Sequence, residues 1–334
     1  MLALTANECQ STPNRRVPHP WQAGGVEPRL DTSPAAPRSP RPTDAWSLGS
    51  WQPVTEDIWV MVAEPAGVNI GLVVGSEHVL LVDTGSSPAQ GRAIAESARD
   101  LVGRPVDRVV LTHGHWDHFH GLAGIPDAES YGHEQLLADL AAAQQAPATS
   151  VGLVGPTHPF SLVRALDLGG LRVEMLHFGP AHTQGDVLVH VPARKVWFTG
   201  DLVETAGDVE ISDESTIEKW PMALDGILGG ADESTIFVPG HGRVAGTVEV
   251  FEHRANISML YGAGEALVNR GVRLEQALAA IDTPVLADGS PHPGASEWEW
   301  PFGPAAIKAA LPLVYAELAG HGQVPRTKLP LIRP

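Results

Sequence analysis

The chain has 334 residues, 43% of them hydrophobic, which is enough for one large domain or two ordinary ones with a buried core. Its net charge of −17 and its lack of a basic run argue against binding to polyanionic nucleic acid. The only cysteine is Cys9, which excludes an intrachain disulfide and a thiolate zinc cluster. Any metal site must therefore use His, Asp and Glu.

Residues 1–44 are rich in Pro, Ser, Thr and Arg and lack apolar periodicity. Such a segment cannot bury enough surface to offset the entropy cost of ordering, so we predict a disordered tail. The N-terminus has no long apolar run typical of a signal peptide, and no stretch approaches the roughly 18 apolar residues of a membrane-spanning helix. We therefore expect a cytoplasmic protein that makes no contact with a membrane.

Beyond the tail, β-rich runs are interspersed with helical segments. This mixture predicts an α/β fold in which helices cover sheets. In chain order the patterns predict strands over 54–63 and 69–85 (with a turn at 75–77), a helix over 88–102, a strand over 106–112, a helix over 133–144, strands over 171–178, 186–191 and 195–201, a helix over 215–228, a strand over 234–242, and helices over 248–270, 274–281 and 304–319.

The segment HGHWDHFH, which follows one predicted strand, holds four histidines and an aspartate within eight residues, His113 to His120. His113 and His115 are two apart on an extended segment, so both face one side and can share an ion. Asp117 and His118 are adjacent, and a tight turn after His115 would aim both at a second ion. Neutral imidazole and carboxylate suit zinc, iron or manganese.

Three later strand ends each carry one further candidate ligand: His182 in GPAHTQGD, Asp201 in FTGD and His241 in VPGHG. A lone histidine at a strand end is more often a hydrogen-bonded structural residue. Three such ends together with the HxHxDH pattern indicate a metal site, because a rigid sheet can bring its loops to one edge. Asp83 in LLVDTG is another acid at a strand end.

The motifs LLVDTG, THGHWDH, GPAHTQGD, FTGDLV and VPGHG, in this order, resemble those of the metallo-β-lactamase superfamily. The resemblance spans about residues 54–245 and implies an αββα sandwich with a dinuclear metal site at one edge and C-terminal helices. We therefore predict a catalytic domain over 45–250, with helices and a Trp-rich loop over 251–334 packed on it. The resemblance implies that His113, His115 and His182 bind one metal, that Asp117, His118 and His241 bind the other, and that Asp201 bridges them.

Asp201 stands where zinc β-lactamases with a thiolate ligand carry cysteine. The site thus resembles the bridging-aspartate subset, which includes hydroxyacylglutathione hydrolases (glyoxalase II) and lactonases. This resemblance implies two divalent ions, zinc being expected and iron or manganese being alternatives, and a metal-bridging hydroxide that cleaves a carboxylic ester, thioester or lactone of a small molecule. Asp117 is expected to orient this hydroxide or relay its proton. The alternatives are a mononuclear iron persulfide dioxygenase, a β-lactam-hydrolysing enzyme and a non-catalytic binding protein.

Residues around the motifs are assigned supporting roles. Asp83 is the leading candidate to fix an imidazole tautomer through a hydrogen bond, and Thr112 and Thr183 are further candidates. Asp186 is either such a partner or a turn residue. Pocket-lining positions are considered for Trp116, Phe119, His120 and His177, with a packed or surface position favoured for the two histidines.

The C-terminal loop SPHPGASEWEWPFGP alternates tryptophan and glutamate at Trp298 and Trp300. It predicts either an aromatic lid over an apolar substrate or a segment packed on the domain or on a second subunit. The sequence leaves the oligomeric state open, and a homo-oligomer is compatible with it.

Overall fold

The computed structural model describes residues 45–144 and 152–326, so the predicted disordered tail lies outside the described residues. The strands are β1 (Ser47–Leu48), β2 (Gln52–Pro53), β3 (Ile58–Glu64), β4 (Val68–Val74), β5 (Val79–Val82), β6 (Arg108–Val110), β7 (Glu129–His133), β8 (His158–Phe160), β9 (Val163–Asp167), β10 (Arg172–Leu176), β11 (Leu188–Val191), β12 (Val196–Glu204) and β13 (Ile236–His241). The helices are α1 (Pro88–Val102), α2 (Trp116–Phe119), α3 (Gln135–Gln144), α4 (Trp220–Leu228), α5 (Thr247–Asn269), α6 (Leu274–Asp282) and α7 (Pro304–Gly320), with 3₁₀ turns over His120–Gly124 and Pro192–Arg194.

The strands form a mixed sheet in the order β8-β7-β6-β5-β4-β13-β12-β11-β10-β9, with β3 on β4 and β1 and β2 on β3. The pairs β5–β6, β6–β7, β7–β8 and β12–β13 are parallel, whereas the remaining pairs are antiparallel. The two halves meet between β4 and β13 at a single registered pair, His241 and Val68. This narrow junction lets the halves pack face to face.

Alternation along the strands builds the layers. On β5, Leu80 and Val82 point into a core that they share with the other half of the sheet, whereas Val79 and Leu81 point into an outer core beneath α1. On β12, Phe198 belongs to the shared core and Trp197 to a second outer core beneath α4 to α7. Each half thus buries one face against its partner and the other against helices, which is the predicted αββα sandwich with C-terminal helices.

Helix α1 has the predicted boundaries because residues at both of its ends favour helix termination there. Ser87 accepts a hydrogen bond from the backbone N–H of Gln90, Pro88 occupies the first turn, and Gly103 ends the helix with a φ of 72°. Within residues 45–144 and 152–326, no helix is long and apolar enough to cross a membrane.

Some elements differ from the sequence prediction. His133, expected to begin a helix, ends β7, and α3 begins at Gln135. Strands β7, β8 and β9 carry no clear apolar alternation, and most of β9 is exposed, so nothing in their pattern marks them. The helix predicted from residue 215 begins at Trp220, and the backbone N–H of Ile217 in the preceding segment donates to the carboxylate of Glu317 on α7.

Candidate metal centre

The predicted ligands converge at one edge of the sandwich. His113 and His115 follow β6, Asp117 and His118 lie on the short helix α2, and His182 lies in the loop between β10 and β11. Asp201 lies within β12, and His241 ends β13. Their potential ligand atoms form compact groups, each with all atoms within 4.8 Å of one another: His113, His115, His182 and Asp201 in one group, and Asp117, His118 and His241 in another.

The first group surrounds a buried point between three imidazoles. His182 Nε2 lies 3.0 Å from His115 Nδ1, and both His113 Nε2 and His182 Nε2 lie 3.7 Å from Asp201 Oδ2. His113 Nε2 is buried and has no hydrogen-bond partner among the described residues. A buried ring nitrogen without a partner is costly unless a cation binds it.

The second group has the same character. His118 Nε2 lies 3.3 Å from His241 Nε2, and Asp117 Oδ2 lies 3.2 Å from the latter nitrogen. Asp201 reaches this group too, with Oδ1 at 3.2 Å from His118 Nε2 and Oδ2 at 3.5 Å from His241 Nε2. Asp201 is thus shared between the groups, in the position expected of a bridging ligand.

Electrostatics differ between the two groups: the first presents neutral imidazoles, and the second concentrates negative charge beside its imidazoles. Burial lowers the pKa of His182 to about 3 and, with the charge of His118, lowers the pKa of His113 well below its usual value, so both rings present lone pairs at neutral pH. Burial opposes a charge on His241 as well, but the charge of Asp201 and a hydrogen bond that His241 donates to Asp117 raise its pKa to about 10. The field that favours a proton there also favours a divalent cation, and the imidazole and carboxylate donors fit such an ion.

Asp83 occupies the supporting position that its motif predicts. Its carboxylate accepts hydrogen bonds from the backbone N–H and the hydroxyl of Thr112, and it lies 2.7 Å from His118 Nδ1. His118 therefore turns Nε2 toward the second group. Asp83 has a φ of 64°, a left-handed conformation that side chains other than glycine seldom adopt. Thr112 Oγ1 also lies 3.0 Å from His113 Nδ1, so Thr112 contacts both rings as expected.

Thr183 differs from its prediction. Its backbone N–H and hydroxyl donate to the carboxylate of Asp186, and its contacts are not with a ligand imidazole. Asp186 is thus the residue that closes the HTQGD turn, and burial raises its pKa to about 7. The backbone carbonyl of Glu210, 3.2 Å from His182 Nδ1, instead accepts a hydrogen bond from this ring and so fixes its orientation.

The candidate pocket residues divide. Phe119 is 5% exposed and packs in the outer core beneath α1, so its predicted pocket position is wrong. Trp116 is partly exposed beside the ligands, and His120 is partly exposed with its ring against Phe119. His177 donates from Nδ1 to the carbonyl of Asp186 and packs against the ring of His133 at a tilt of 34°, with ring centroids 4.1 Å apart, so it has a packing role.

Three glutamates near the ligands escaped the sequence analysis. Glu214 Oε1 lies 3.2 Å from His115 Nε2, and Glu204 has an oxygen within 4.8 Å of ligand atoms of Asp201 and His241. Glu210 contributes its carbonyl to His182. Glu204 could have been suspected, because it lies three residues after Asp201 in GDLVE. The loop over 205–219 offers no pattern that marks the other two.

The Trp-rich loop packs away from these ligands. Trp300 and Phe302 contact the outer core beneath α4 to α7. Together with Trp298 they line a cavity of about 410 Å³ whose other walls come from α6, α7 and the loop itself. None of the predicted metal ligands lines this cavity. The structure therefore favours packing on the domain over a lid.

Curated relatives are similar in sequence to part of this chain. A metallo-β-lactamase type 2 of Bacteroides fragilis is 25% identical over 194 residues, which cover 57% of this chain and 74% of that protein. The acyl-coenzyme A thioesterase MBLAC2 of Bos taurus is 26% identical over 218 residues, covering 56% of this chain and 77% of that protein.

A solved structure, a metallo-β-lactamase from Pontibacter korlensis, matches with a TM-score of 0.55 at 20% identity. The match covers 64% of this chain and 99% of that one, and it shows the likeness of fold. The family model of the metallo-beta-lactamase superfamily matches residues 63–241, the segment that carries every predicted ligand. The chain therefore belongs to the metallo-β-lactamase superfamily.

Proposed function

We propose that this protein is a dinuclear metal-dependent hydrolase that cleaves a carboxylic ester, thioester or lactone of a small molecule. The observation that carries the proposal is Asp201, a buried carboxylate with oxygens facing two histidine groups at 3.2–3.7 Å. His113, His115 and His182 would hold one divalent ion, and Asp117, His118 and His241 the other. Zinc is the expected metal, with iron or manganese as alternatives.

The metals and the residues have separate tasks in this proposal. Divalent ions held by these residues would supply Lewis acidity and would ease the ionisation of a bound water. Asp117 is held ionised, because the charges of His118 and His241 outweigh its burial and lower its pKa. Its carboxylate, 3.2 Å from His241 Nε2 in the second group, can therefore orient the attacking water and accept its proton.

The surrounding residues fix the ligands in place. The carboxylate of Glu214 contacts His115 Nε2, so that the Nδ1 atom of the same ring faces His182. The ring of Trp220 packs against His182 at 5.5 Å between centroids and walls it on the far side. Ligand geometry is thus set before any substrate binds, which reduces reorganisation during the reaction.

The bond type rests on similarity. Asp201 stands in place of the cysteine ligand of thiolate-type zinc β-lactamases, and one relative is an acyl-coenzyme A thioesterase. The β-lactamase relative keeps β-lactam hydrolysis as a second candidate. A persulfide dioxygenase with one iron is a third candidate, and it requires that only one of the two groups be filled.

A substrate panel on zinc-loaded and manganese-loaded protein tests the proposal. We expect turnover of at least one ester, thioester or lactone, and a loss of roughly 10²–10⁴-fold in kcat/KM in Asp117→Ala, because a positioned acid–base group contributes about that much. β-Lactams, phosphodiesters and a persulfide with oxygen electrode detection complete the panel. Oxygen uptake by protein holding one iron, or full activity in Asp117→Ala, would refute the proposal.

A further inference from the structure

Glu204, the last residue of β12, lies beside the second histidine group although no motif marks it. It is 7% exposed and is paired with His241 across the parallel β12–β13 ladder. Residues paired on neighbouring strands point to the same face of a sheet. The carboxylate of Glu204 accordingly comes within 4.8 Å of ligand atoms of both Asp201 and His241.

An irregularity in β12 makes this placement possible. In a regular strand, residues three apart such as Asp201 and Glu204 would point to opposite faces. Here the ladder shifts register between Phe198 and Gly200 and again between Gly200 and Glu204, and Gly200 has a φ of 52°. The bulged strand therefore turns both carboxylates toward the end of β13, as bulges beside functional sites often do.

The resulting donor sets of the two groups differ in kind. The first group offers the imidazoles of His113, His115 and His182 and one carboxylate. The second offers the imidazoles of His118 and His241 and the carboxylate of Asp117, with Asp201 Oδ1 3.2 Å from His118 Nε2. Glu204 joins Asp201 and His241 in a third group, whose ligand atoms also lie within 4.8 Å of one another. Carboxylates buried beside one another are unfavourable unless positive charge, from a protonated imidazole or a bound cation, lies next to them.

We propose that Glu204 supplies a further carboxylate oxygen to the metal held by Asp117, His118 and His241, and that it shifts this position toward oxygen-preferring cations such as Mn²⁺. Imidazole-rich sites suit zinc, whereas carboxylate-rich sites suit manganese. The inference rests on the proposed two-metal site, and it assigns the two positions different metal preferences.

Stepwise dissociation constants for Zn²⁺ and for Mn²⁺, measured by chelator competition on metal-depleted full-length protein, test this assignment. In Glu204→Gln, Mn²⁺ binding at one of the two positions should weaken about tenfold or more, as loss of a group beside a metal typically causes. Zn²⁺ binding at that position should weaken less, and binding at the other position should be unchanged. Glu204→Asp, which keeps the charge but shortens the side chain, should fall between wild type and Glu204→Gln.

Glu174→Gln serves as the control, because Glu174 lies on β10 and pairs with Arg172 and His190. The electron paramagnetic resonance spectrum of bound Mn²⁺ gives a readout independent of activity and should change in Glu204→Gln alone. Equal effects of Glu204→Gln on Zn²⁺ and Mn²⁺, no effect on either, or a wild-type protein that binds one metal would overturn the inference. Two-metal binding with the expected Glu204 effect but no turnover of any substrate would instead refute the hydrolase alone.

Discussion

At the scale of single residues, the centre depends on groups that hold ligands as much as on the ligands. Asp83 joins three elements, because one carboxylate receives Thr112 from the end of β6 and faces His118 on α2. Its left-handed backbone conformation is unfavourable in free energy, and the surrounding hydrogen bonds must offset that strain. Asp83, a strained residue beneath the histidine loop, thus helps to orient the ring of His118.

Replacing Asp83 with asparagine should weaken metal binding about 10–100-fold, because an amide NH₂ replaces one of the two acceptor oxygens and the side chain can no longer accept from both Thr112 and His118. Chelator competition measures the change. The matched control is Asp107→Asn, since Asp107 also pairs with a histidine, 2.7 Å from His78 Nδ1, and accepts from the backbone of Val79. Equal metal affinities in the Asp83 variant and wild type would contradict the role assigned to Asp83.

At the scale of elements, backbone contacts set where the ligand-bearing turn lies. The 3₁₀ turn after α2 packs directly on α1, and a Cβ at Gly91 would lie 2.1 Å from the carbonyl oxygen of Gly121. A Cβ at Gly121 would in turn lie 1.8 Å from the carbonyl oxygen of Thr84. Glycine is required at both positions because the backbones themselves touch.

Gly91→Ala should therefore push α1 away from the turn that follows Asp117 and His118. We expect a loss of roughly 1–3 kcal/mol in the free energy of unfolding, typical of overpacking, together with weaker metal binding. Gly320→Ala, where nothing lies within 4 Å of the added Cβ, should be neutral or slightly stabilising. Thermal unfolding of both variants checks this, and identical midpoints for the two would show that the contact is not limiting.

At the scale of the whole molecule, the outer helical layer carries a buried titratable group. His253 on α5 is 8% exposed, and burial lowers its pKa to about 4 from 6.5. As pH falls through this window, the unfolded chain takes up a proton that the folded protein does not. Stability is therefore full above the unfolded pKa and decreases as pH falls, by up to roughly 3 kcal/mol from this group.

His253→Gln should reduce the slope of unfolding free energy against pH between about pH 6.5 and pH 4.5, because the variant has no proton to take up there. Urea unfolding of metal-loaded protein at several pH values measures this slope. His321→Gln, at an exposed histidine beside Glu218, is the control and should leave the contribution of His253 in place. The same slope in wild type and His253→Gln would contradict the assignment.

Most of the residues that the structure brings together at the candidate site could be singled out from the sequence, because they follow hydrophobic strands whose ends meet at a sheet edge and because their motifs resemble those of a known family. The helix α1 was likewise predictable, since Ser87, Pro88 and Gly103 mark its ends. Glu204 could be suspected only from its place three residues after Asp201, because its approach to His241 depends on a bulge in β12. Glu214 could not be placed, because its position depends on a loop whose backbone accepts a hydrogen bond from the distant Gln184. Thr183 was assigned to the wrong partner, since only the folded turn shows that Asp186 takes both of its donors.

The most direct test of the two-metal centre is the number of metal equivalents at which hydrolysis saturates. Metal-depleted protein is titrated with Zn²⁺ while cleavage of the best ester, thioester or lactone is followed and bound metal is counted by elemental analysis. The account predicts that activity becomes maximal only when two ions are bound per chain. Full hydrolytic activity with one bound ion, or activity that persists without metal, would contradict it.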